Sequence, residues 1–227
     1  MLTRLLLCIL PAAFALSAST LTLTLSNVPT TTVVRTISDS TTGTTSPTSV
    51  QIGLIEYTAA DGSSLYVYCI EPQQGTGLAG TVTTFNIDPT LLTAPGNVGG
   101  MSAARAAAVE LLLGQLANPF DPALSALDQA AMQVGLWEIV RETQAGPYSA
   151  TSGNLTVSGE SISGIISRAQ QFLNAVNQGI GTPYGALALT NDTFQDMVGT
   201  SVPEPSSLAL VGLAAVGFGV IRRRRNL

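Results

Sequence analysis

The sequence predicts an α+β domain, a β-sandwich or barrel-like sheet with a helical subdomain, followed by a C-terminal transmembrane helix. Three observations carry this. Thr and Leu alternate strictly over residues 20–25, the period of a half-buried strand. An Ala- and Leu-rich run covers residues 102–117, and two further helix candidates, bounded by caps and breakers, follow within residues 121–176, the pattern of packed helices. Residues 208–221 are apolar and run into four consecutive Arg.

Taken in order, residues 20–25 form the first strand, and the Thr/Ser-rich residues 36–49 read as a long hairpin loop or an irregular surface segment. Strands are expected at 50–58 and 64–71, joined by the turn Ala60-Asp61-Gly62-Ser63. In the second of these, Leu65, Val67 and Cys69 share one face, while Tyr66, Tyr68 and Ile70 share the other. A first helix spans 102–117, with Ser102 as N-cap and Asn118-Pro119 as breaker. A second runs from Asp121-Pro122 to about Thr143 and is stopped by Gly146-Pro147. A third covers 160–176 and ends at Gly179, and short β segments are expected at 155–157 and 186–189. No internal repeat is present, so residues 20–200 read as one domain.

The two ends differ in kind from this body. Residues 1–19 carry Arg4, a short apolar run and then small residues, the three regions of a secretory signal peptide. Cys8 leaves with that segment, so the exported chain keeps one cysteine, Cys69. After Pro203-Glu204-Pro205, the apolar residues 208–221 are long enough, with Ser206 and Ser207, to approach the span of a bilayer. Arg222, Arg223, Arg224 and Arg225 would stop transfer and stay cytoplasmic, which leaves the body outside.

Composition narrows the chemistry. The 227 residues include no His, and all nine cations are Arg. Without imidazole, Ser-His-Asp and Cys-His nucleophile systems and the common zinc sites are excluded. No catalytic set, metal or cofactor is expected, and the chain does not read as an enzyme. Glu71, Glu110 and Glu138 show no spacing that pairs them as a glycosidase acid and base. Residues 20–200 hold four Arg against thirteen acidic residues, too few cations to neutralise a run of phosphates, so nucleic acid is not an expected partner.

One helical position stands out. At 3.6 residues per turn, Ala126, Ala130, Gln133, Trp137 and Val140 share a face, with Asp128, Gly135, Glu138 and Glu142 opposite. Gln133 therefore lies on the apolar stripe, one turn before the only Trp. A buried carboxamide needs backbone partners or other chemistry to offset its desolvation.

Pro203-Glu204-Pro205, the apolar run and the terminal Arg cluster together resemble the PEP-CTERM sorting signal of Gram-negative bacteria. That resemblance implies recognition by an exosortase-type membrane protease, transient anchoring in the membrane through the C-terminal helix, and delivery to the cell surface or the extracellular matrix of a biofilm. A second resemblance rests on Tyr68-Cys69-Ile70-Glu71 and Met132-Gln133-Val134-Gly135-Leu136-Trp137, which are similar to the two signature segments of bacterial thioester domains. It implies a bond between the Cys69 sulfur and the Gln133 side-chain carbonyl, supported by Tyr68, Glu71 and Trp137. Such a bond would make the domain an adhesion module for a partner protein or polysaccharide bearing an amine or hydroxyl. In a non-reactive relative the same pair would be a structural staple, or remain unbonded. Met132 stands where Thr is common in those domains, and Gly135 where Ala is usual.

Overall fold

The structure is a computed structural model that describes residues 20–29, 33–39, 44–46, 50–72, 74–92 and 100–200. The expected signal segment, Pro203, Glu204, Pro205, the C-terminal span and Arg222 to Arg225 lie outside the described residues. Among those described, no helix is long and apolar enough to cross a membrane.

In chain order the elements are β1 (Thr20–Asn27), β2 (Val33–Asp39), β3 (Thr44–Ser46), β4 (Val50–Gln51), β5 (Ile55–Ala59), β6 (Ser64–Cys69), β7 (Val82–Asp88), α1 (Ala103–Leu113), α2 (Ala126–Arg141), β8 (Leu155–Glu160), α3 (Ile165–Asn177), β9 (Leu187–Thr190) and β10 (Met197–Gly199). Six antiparallel strands close a barrel in the order β1-β5-β6-β10-β9-β7. Closure leaves these strands no open edge. The Thr/Leu alternation of β1 works as expected: Leu23 and Leu25 are buried and Thr22 is exposed. Tyr57 and Phe85 sit edge to face among the interior side chains, 5.7 Å between ring centres.

Several boundaries differ from the sequence expectation. Residues 36–39 and 44–46, expected in a long hairpin loop or an irregular surface segment, lie in strands. β2 pairs with β3, β4 and β8 in a second antiparallel sheet, because β-branched residues pair well once a partner is supplied by distant β8. The expected strand over 50–58 breaks at Gly53, whose φ of +131° bends the chain between β4 and β5 and sends them to different sheets. β7 and β10 were not legible as strands, and both complete the barrel.

Helix ends are set by local chemistry. The side chain of Ser102 accepts from the Arg105 N–H and caps α1. That helix stops at Gly114 and not at 117. A side chain at Gly114 would sit 1.8 Å from the Thr182 carbonyl oxygen, so only glycine permits the close approach of the returning chain. α2 starts at Ala126, later than expected, because residues 121–124 form a turn through the Leu124 N–H to Asp121 O bond, and Ser125 then caps Asp128. Glu160 ends β8 and is not part of α3. Its carboxylate accepts from the Gly164 and Ile166 N–H groups at 2.7 and 2.9 Å, serving the N-terminus of α3.

α2 is the centre of the helical layer, packed against α1, α3 and β8. Every residue from Ala130 to Arg141 is buried. The face expected to be polar is therefore buried too: a Cβ on Gly135 would press the Leu112 methyls at 3.1 Å, and Glu138 is 1% exposed. Glu138 accepts from the Ser149 N–H at 2.9 Å, while its second oxygen has no hydrogen-bond partner. Burial pushes its carboxyl up to about 8, neighbouring Glu142 pushes the same way, and the Ser149 bond opposes them. The folded form therefore holds a proton that the unfolded form releases near the ordinary 4.5. This contribution to stability is full below that value and is lost as pH rises through 8, with a slope of at most about 1.4 kcal/mol per pH unit. Glu138→Gln, which is neutral at all pH, is expected to flatten the fall in melting temperature between pH 5 and 8.5. An unchanged slope would show that other groups carry it.

Candidate functional site

The break at Gly53 creates the site. On β6, the Ile70 N–H is directed to Asp196 O on the β10 side. Strand backbones alternate direction, so the N–H and C=O of Cys69 face the β5 side, where pairing has ended at Ile55↔Val67. Two polar backbone groups would be left in the interior without a partner.

Gln133 fills that position. Its Oε1 accepts from the Cys69 N–H at 3.2 Å, and its Nε2–H donates to the Cys69 carbonyl. The carboxamide thus replaces the missing peptide of a neighbouring strand. One turn earlier, Gln129 Oε1 accepts from the Leu54 N–H at 3.4 Å along the same broken edge. The structure accordingly brings Gln133 to Cys69 across 64 positions of sequence.

Trp137 lies one further turn along α2, and its indole Nε1–H donates to the Cys69 sulfur at 3.3 Å. The thiol hydrogen is directed to the Glu71 carbonyl at 3.4 Å. Cys69 is a free, buried cysteine. Burial pushes its thiol well above the ordinary range, and the hydrogen bond from the Trp137 indole opposes that shift. Cys69, Gln133 and Trp137 all line a cavity of about 410 Å³.

The remaining expected residues divide. Glu71 belongs to the site: its Oε2 accepts from the Asp196 N–H at 3.2 Å. Burial raises its carboxyl above the ordinary value, opposed by that bond and by the charge of Arg141. Tyr68 does not reach the sulfur. It lies on the opposite face of β6, where its hydroxyl donates to Pro119 O at 3.0 Å and its ring meets Phe120. Its place is in the packing between the barrel and the helical layer.

Two residues that sequence reasoning missed complete the group. Met197 pairs with Cys69 in the β10–β6 ladder, and two residues before it Gln195 stands opposite Glu71. Its Nε2–H donates to the Glu71 carbonyl, and it lines the same cavity as Cys69. Asp196 accepts from the Asn191 N–H at 2.7 Å, and burial pushes its carboxyl up to about 7. No local pattern marks either residue, because the short strand β10 gains its pairing only from β6 and β9. Among the described residues, no group of three or more Cys, Asp or Glu is placed to hold a metal ion.

No curated protein and no solved structure is found to match the chain. Residues 201–225 match the PEP-CTERM protein-sorting motif. With that motif at its C-terminus, the chain is an exported protein bearing a membrane-associated sorting signal that is processed by an exosortase.

Proposed function

We propose that residues 20–200 form a surface or matrix domain that stores an internal thioester between Cys69 and Gln133 and uses it for covalent attachment. The supporting observation is the two-point contact of the Gln133 carboxamide with the Cys69 backbone, with the indole N–H of Trp137 on the sulfur. In the reaction the thiol sulfur bonds to the Gln133 carbonyl carbon and the carbon–nitrogen bond breaks. The thiol proton goes to the nitrogen, which leaves as ammonia. The Cys69 N–H already donates to the oxygen on which negative charge develops, the geometry that stabilises a tetrahedral intermediate. An amine or hydroxyl of a partner protein or polysaccharide then attacks the same carbon and releases Cys69.

The intact mass of the purified protein is expected to be one ammonia below that of its sequence, and both Cys69→Ala and Gln133→Ala should restore full mass. A full-mass protein with a titratable thiol would overturn the proposal.

A second reading is favoured by the near-complete burial of Cys69 and Gln133: the bond as a staple. Closing that loop is worth about 4 kcal/mol on the chain-entropy account. Methylamine separates the two, because an adduct on Gln133 supports attachment, whereas an ammonia-deficient protein inert to methylamine supports a staple.

A further inference from the structure

Three hydrogen-bond donors converge on the Glu71 carbonyl. They are the Cys69 S–H at 3.4 Å, the Gln74 N–H at 3.4 Å, and the Nε2–H of Gln195. A carbonyl oxygen has two lone pairs, so three donors compete, and the thiol is the weakest of them. Gln195 is buried, 5% exposed, and its place is fixed from both sides. Its own N–H donates to Gly75 O at 3.3 Å, and the flanking Asp196 exchanges bonds with Ile70 and Glu71. The antiparallel register that pairs Met197 with Cys69 puts Gln195 on the strand face that carries Cys69.

We propose that Gln195 is a positioning residue for Cys69: by occupying the Glu71 carbonyl, it leaves the thiol hydrogen weakly held and keeps that carbonyl bonded once the hydrogen is gone. The first effect acts before reaction. A thiol that donates strongly to a carbonyl is stabilised in its protonated form, so competition from a better donor favours release of the proton. The second acts after it. When sulfur bonds to Gln133, the S–H donor disappears, and a buried carbonyl needs its remaining donors to stay satisfied. With Gln195 in place the Glu71 carbonyl loses only its weakest donor. Gln133 supplies the carbon and Gln195 conditions the sulfur's surroundings, so the two carboxamides divide the work.

This inference rests on the thioester reading for its effect on bond formation, and its effect on the free thiol can be measured without it. Gln195→Met keeps the length and packing of the side chain while removing the donor. Purified protein carrying it is expected to melt within a few degrees of the parent and to release ammonia about tenfold more slowly after refolding, followed by intact mass. In a Gln133→Ala background, where no thioester can form, adding Gln195→Met is expected to move the pH profile of Cys69 alkylation by iodoacetamide to higher pH. Gln195→Asn, whose amide is one methylene shorter, should recover part of both effects if the carbonyl contact is the cause. An unmoved alkylation profile in a folded double variant would overturn the role of Gln195, whatever the mass of the parent. A full-mass parent with a shifted profile would instead remove the thioester and leave the conditioning of the thiol standing. Should Gln195→Met fail to fold, the same profile is read on Gln195→Asn, and a position identical to that of Gln133→Ala alone overturns the role.

Discussion

Trp137→Ala is expected to destabilise the domain by about 3–5 kcal/mol in chemical denaturation, the range for removing a large aromatic side chain from a packed core. Trp137 is 1% exposed and lies on a helix whose neighbours are buried from Ala130 to Arg141, so little can relax into the space it leaves. Total stabilities of 5–15 kcal/mol are usual, and a loss of this size brings the fold close to failure. Trp137→Phe separates packing from chemistry. It keeps most of the apolar volume and removes the N–H that reaches the Cys69 sulfur, for an expected loss of about 1–2 kcal/mol. If the thioester forms, that N–H also steadies the sulfur as it leaves. The methylamine reaction of Trp137→Phe should then be slower by about tenfold, or 1.4 kcal/mol. A phenylalanine variant with parental stability and parental methylamine rate would show that the indole N–H does nothing for the sulfur.

Arg105→Ala is expected to cost at least as much. The guanidinium of this buried residue donates to Val140 O at 2.9 Å, to Glu142 O at 2.8 Å and to Gly100 O at 3.1 Å. Two of these acceptors end α2, where carbonyls lack intrahelical partners and the helix dipole favours a cation. Truncation would take the donor from three carbonyls, one buried and two half-buried, at about 1–3 kcal/mol each before relaxation and entry of water. A net loss of about 4 kcal/mol or failure to fold is the expected result. Arg105→Lys should recover only part of it, because a compact ammonium cannot span three carbonyls as a planar fork does. A loss below about 1 kcal/mol in Arg105→Ala would show that water satisfies the end of α2.

Particular residues show what was legible and what was not. The strand of β1 was readable because Thr/Leu alternation is a local pattern that one buried face enforces. The helices were readable from Ser102 and from the breakers after each run, although α2 began four residues late because the Asp121 turn and the Ser125 cap were both consistent with sequence. Gln133 and Trp137 were legible as one helix face, and their pairing with Cys69 came only from the resemblance of the two segments to thioester-domain signatures. The geometry of that pairing was not legible: the Gln133 contact depends on the bend at Gly53, which removes the natural strand partner of Cys69. Glu138 was misplaced on a polar face because a helix packed by barrel, sheet and helices at once has no solvent side, a fact that no periodicity records.

By itself, then, the sequence determined the α+β class, the sorting motif over residues 201–225 and the absence of imidazole chemistry. Each follows from composition or from a pattern within a few residues. Only the tertiary structure decided that the sheet closes into a barrel, that α2 is buried all round from Ala130 to Arg141, and that Gln195 and Asp196 join the cysteine's surroundings. Those depend on pairing between strands remote in sequence, where a two-residue shift in register moves every contact at the site.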